Sequence, residues 1–148
     1  MTRFRFQLEP LLKLREREER EKQLAVAELE CHRLELESTL RDHQRFITEG
    51  KASLAHVLVG RVDLDDLRGH AAVTLDLTRK AQRVVLELAG IHTRLGRARD
   101  ELVEASKRRR SMELLRDRRF EAWRAAIDKA ENAALDELAV QSAARKES

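Results

Sequence analysis

Tyrosine is absent from this chain of 148 residues, and proline, cysteine and tryptophan occur once each. With four phenylalanines, aromatics reach only 3%, and there are five glycines. Wide cores draw on aromatic bulk, and turns draw on proline and glycine. A chain poor in all of them is not built as a loop-rich globule. The lone Cys31 has no second cysteine to pair with, which fits a reducing compartment. No stretch approaches ~18 uncharged apolar residues, so no membrane insertion is expected. The opening Met1-Thr-Arg-Phe-Arg-Phe carries positive charge but no apolar segment, unlike a secretory signal. A dominant charge is missing as well. Thirty basic and 27 acidic residues leave a net +3, a balance that does not single out a nucleic-acid binder.

What the chain does have is charge and small aliphatics: 39% charged, 42% hydrophobic, the latter mostly Leu, Ala and Val. Two long stretches space their apolar residues in alternating steps of four and three. The first includes Leu8, Leu12, Val26, Leu29, Leu36, Leu40 and Ile47. The second includes Leu77, Ala81, Val84, Leu88, Ile91, Leu95, Ala98, Leu102 and Ala105, and resumes at Trp123, Ala126 and Ala130. A helix turns every ~3.6 residues, so this spacing returns each side chain to one narrow stripe. The spacing predicts an all-α chain with a single coiled-coil domain over 1–148. Helix one is placed at about 5–55, a hinge at about 56–64 and helix two at about 65–140, with a fraying tail at about 141–148. Arms of this length would reach roughly 70–100 Å.

Interruptions of the stripe carry information too. Residues 15–22 are all charged, which puts Arg15, Glu19 and Lys22 on the seam, with Glu16–Arg20 and Glu18–Lys22 in the favourable order for pairing along the helix. Gly60-Arg-Val-Asp reads as a turn followed by an N-cap, with Asp63 capping and Asp66 at the third helical position. Gly69 follows so closely that helix two is secure only from about Val73. Gly90 and Gly96 fall inside helix two, where small residues would let the two backbones approach.

Catalytic chemistry finds no support. An enzyme needs several groups held in mutual reach around a pocket, and a two-helix seam supplies no concave interior. His32, His43, His56, His70 and His92 have no partner at zinc-ligand spacing, and Cys31 has no evident activating base. Neither a catalytic group, a metal nor a cofactor is expected. The sharpest charge feature is Lys107-Arg-Arg-Arg110 with Arg116, Arg118 and Arg119, seven basic residues against only Glu113 and Asp117. It reads as a solvated face, a dock for an acidic protein surface or, without interleaved stacking aromatics, less readily as a nucleic-acid contact. Phe120 and Trp123 lie one helical turn apart and read as seam-filling or as a docking anchor.

Two passages resemble the FliJ family, small coiled-coil proteins of the flagellar export apparatus. The first is Phe4-x-Phe6-x-Leu8 followed by Leu11-Leu12-x-Leu14-Arg15-x-Arg17-Glu18-Glu19. The second is Met112-Glu-Leu-Leu-Arg-Asp-Arg-Arg119, with Glu121, Trp123, Glu131 and Leu135-Asp-Glu-Leu-Ala139. The resemblance covers essentially the whole chain. It implies two long helices forming an antiparallel coiled-coil hairpin, a non-enzymatic stalk whose free ends enter the ring of the flagellar export ATPase and favour its assembly. It also implies contact with the cytoplasmic domain of the export gate, escort of export chaperones, and a cytoplasmic location at the inner-membrane face of the flagellar basal body. On this chain the ATPase-binding residues would be Leu8, Leu12, Arg15, Arg119 and Trp123. The export-gate contacts would be Leu36, Leu40, His43, Ile47, Val73, Leu77 and Val84. Some relatives carry aromatic residues where this chain has His43, Ile47 and Val73.

Three other readings compete. A purely structural coiled coil, dimeric with parallel helices, would have no ATPase partner, whereas the stalk is a monomer by itself. A virulence secretion-system stalk is a close relative of the first reading. A basic helical nucleic-acid binder would use Lys107 to Arg119.

Overall fold

The computed structural model describes residues 3–146. It contains two helices, α1 (Glu9–Val57) and α2 (Leu64–Lys146), packed against each other as a hairpin, with no strand among the described residues. Helix α1 begins with Pro10 in its first turn, where the missing N–H has no partner to lose. Asp63 caps α2 as its sequence position predicts: its carboxylate accepts the Asp65 backbone N–H at 2.9 Å, while Asp65 and Asp66 lie at the positive end of the helix dipole. Gly60 supplies the turn, with φ of 112°, a conformation that L side chains rarely adopt. Helix α2 runs without interruption past Gly69 and on through Lys146; residues 147 and 148 of the expected tail lie outside the described residues.

Packing divides the chain into two units. One comprises residues 21–102, which hold the greater part of α1, the turn and the first half of α2. Here the less exposed positions of α1 include Val26, Leu29, Arg33, Leu36, Leu40, His43 and Ile47, which follow unbroken four-three steps. Opposite them Val84, Ile91 and Leu95 are buried, Ile91 and Leu95 completely. Burying each of these side chains contributes about 1.5–3 kcal/mol. Two ion pairs tie the helices together across this seam: Lys22 to Glu101 at 2.6 Å, and Arg99 to Glu30. Glu30 also receives Arg33 at 2.8 Å, and Arg33 reaches Glu37 at 2.7 Å.

The second unit comprises residues 1–20 and 103–148. Its core is Phe6, Leu12 and Ala105, and Leu12 is completely buried. In the segment before α1, Phe6 is buried and Phe4 half-buried. Phe4 meets Phe120 edge-on at 5.3 Å between centroids and Trp123 at 5.6 Å, and Phe120 and Trp123 stand 5.7 Å apart.

One expectation is overturned. A methyl group added at Gly90 or Gly96 would meet no atom within 4 Å, so neither glycine lies where backbones approach. Both are exposed, because Ile91 and Leu95 occupy the inward positions beside them.

Candidate functional site

In the unit of residues 1–20 and 103–148, the predicted polar seam position Glu19 is where the two helices bond. Its carboxylate accepts the Ser106 hydroxyl at 2.6 Å and the Arg109 guanidinium. The Ser106 hydrogen bond and the Arg109 charge hold the Glu19 carboxyl below its ordinary value of 4.5. Arg109 also donates to Glu113 at 2.6 Å, and Arg110 does so at 3.2 Å, which lowers the Glu113 carboxyl likewise. Lys107 meets Glu104 at 2.8 Å. Much of the basic run is therefore engaged in pairing within the chain, which weakens its reading as a nucleic-acid surface.

The five residues expected at an ATPase contact have different environments. Leu12 is core, and Leu8 is half-buried. Arg15 is half-buried and bonds Glu18 at 2.8 Å. Arg119 is exposed and lies over the Phe6 ring at 5.8 Å, a cation–π contact. Trp123 is half-buried against Phe4, while Phe120 stays exposed. Trp123 thus fills the seam and also forms the inner end of a surface that continues outward.

That continuation is the part the sequence reading left without a role. From Asp128 to Arg145 every residue of α2 is exposed. Leu135, Leu138 and Val140 are 63%, 61% and 69% exposed. Trp123, Ile127, Ala130, Ala134 and Leu138 recur at helical spacing on one face. The signal was available in the expected lengths, since helix two, placed at about 65–140, already outran helix one at about 5–55; in the structure α2 has 83 residues and α1 only 49.

In the unit of residues 21–102, Leu40 and Ile47 of the expected gate contacts come together with Ala81, Val85 and Leu86 around an open, mainly apolar groove of about 490 Å³. Leu36, His43 and Leu77 are half-buried on the seam, and Val84 is buried. Val73 is separate from the groove and 60% exposed. Val85 and Leu86, both exposed, are groove residues that lie off the four-three stripe and were therefore missed. No group of three or more His, Cys, Asp or Glu side chains converges among the described residues, and Cys31 is exposed.

Compared with known proteins, the sequence matches the family described as flagellar FliJ protein over residues 4–148. The chain belongs to the FliJ family. Neither a curated protein nor a solved structure matches it. Membership makes it a protein of the flagellar export apparatus, a family of structural components and not of known enzymes. Among the described residues, no helix is long and apolar enough to cross a membrane.

Proposed function

We propose that this FliJ-family protein is the stalk of the export ATPase, entering the ATPase ring with the exposed C-terminal part of α2 and promoting ring assembly. The observation that carries this reading is the stretch Asp128–Arg145, helical and exposed throughout, with Leu135, Leu138 and Val140 bare of any cover. Exposed apolar faces of this kind are characteristic of partner-binding helices. Trp123 and Arg119, types enriched at binding hot spots, lie where that face begins. The groove around Leu40, Ile47, Val85 and Leu86 supports a second contact, with the cytoplasmic domain of the export gate. Chaperone escort and a peripheral position at the inner membrane follow from the same role.

The test is assembly of the purified cognate ATPase, followed by light scattering. Stoichiometric protein should raise the hexamer fraction, and Leu135→Ala with Leu138→Ala should abolish that rise while leaving helicity intact. An unchanged hexamer fraction with the native chain contradicts the proposal. The gate contact is checked separately by Leu86→Asp, which should weaken binding to the gate domain and leave ring assembly untouched.

A further inference from the structure

A groove of about 840 Å³ in the unit of residues 1–20 and 103–148 gathers four cations from three segments. Arg5 comes from the segment before α1, Lys13 and Arg17 from successive turns of α1, and Arg116 from α2. Glu9 is the only acid among the lining residues. Several cations elsewhere are neutralised locally: Arg33 has Glu30 and Glu37, Lys80 has Asp76, and Arg109 has Glu19 and Glu113. Arg5, Lys13 and Arg17 have no ion pair or hydrogen bond of this kind among the described residues, and Arg116 has only Asp117, beside it in sequence, at 3.7 Å. Lys13 and Arg17 are like charges one helical turn apart, a mildly unfavourable pair that an anion between them would relieve.

We infer that this groove binds a multivalent phosphoryl anion, with two or more phosphoryl groups engaging Arg5, Lys13, Arg17 and Arg116. Three guanidinium forks and one ammonium suit such a ligand, because the fork matches two phosphoryl oxygens at once and the ammonium acts as a point charge. The groove's volume is that of a small-molecule site. Its cations converge on one volume, and an extended acidic peptide would call for charges strung along a face. The positive end of the α1 dipole opens on the same space and adds to the attraction. Phe6, buried and also lining the groove, meets Arg119 of α2 across its ring and so ties the segment carrying Arg5 to that helix.

Calorimetry on the full chain tests this, with inorganic pyrophosphate, ATP and vesicles of phosphatidylcholine containing cardiolipin as separate probes. Saturable binding, one ligand per chain, is expected for at least one probe. Lys13→Gln with Arg17→Gln should raise its Kd about tenfold or more. Arg108→Gln with Arg118→Gln removes the same charge from exposed positions outside the groove and should change Kd less than about twofold. Binding of pyrophosphate or ATP identifies a soluble ligand, and binding of vesicles alone identifies a lipid headgroup. Equal weakening by the two double variants, or no saturable binding of any probe, overturns the inference. Circular dichroism on each variant establishes that the fold is kept.

Discussion

At the residue scale, the seam depends on a few side chains that do most of the burying. Ile91 and Leu95 are completely covered although the helices around them are largely exposed. Replacing Ile91 with Ala should cost about 2–4 kcal/mol, since a two-helix seam has few neighbours to collapse into the cavity. Thermal unfolding followed at the helical circular-dichroism band checks this, with the exposed Leu24→Ala as the near-neutral control. Glu19 carries a pH dependence. Its folded-state carboxyl titrates below the ordinary 4.5, because Ser106 and Arg109 favour the ionised form. Its contribution is therefore fully present above 4.5 and is lost as the pH falls through the lower folded-state value. Melting temperatures measured from pH 7 down to pH 3 should fall in the acid range for the native chain and fall less for Glu19→Gln.

At the element scale, both helices were legible in the sequence, and so was the break between them. The four-three spacing needs only residue type and order, and Gly60 and Asp63 mark a turn and a cap by local chemistry alone. The seam role of Glu19 and Lys22 was legible for the same reason, whereas Arg15 bonds along its own helix to Glu18. The seam partners Ser106, Arg109 and Glu101 were not legible, because which residue of α2 faces which residue of α1 depends on how the turn closes. Gly90 and Gly96 were misjudged on size alone, although the stripe through Ile91 and Leu95 already placed them outside it. The two kinds of glycine separate experimentally. Gly60→Ala should destabilise by about 1 kcal/mol or more, since its φ of 112° excludes a relaxed side chain. Gly90→Ala adds a methyl in open space within a helix and should stabilise by up to about 1 kcal/mol. Urea titration of both variants checks the opposite signs.

At the scale of the whole molecule, each helix finds its apolar partner within the same chain, as an intramolecular hairpin requires. A monomer of 17.1 kDa is expected by light scattering, and twice that mass would favour the dimeric structural reading. Family membership supplies the export apparatus as the setting. It does not by itself say which surface meets which component, and no single stripe residue distinguishes a side chain packed on its neighbour helix from one kept for a partner. Leu12 and Val84, both expected at contacts, are buried within the chain, whereas Leu135, Leu138, Val85 and Leu86 are open. Exposure in the folded chain makes that distinction. The central claim is that the open end of α2 acts on the export ATPase. The rate of ATP hydrolysis by the cognate ATPase, titrated with this protein, tests it most directly. Turnover should rise until the two are stoichiometric with the ring and stay at the basal rate with Leu135→Ala and Leu138→Ala combined; a rate that the native protein leaves unchanged across the titration would contradict the account.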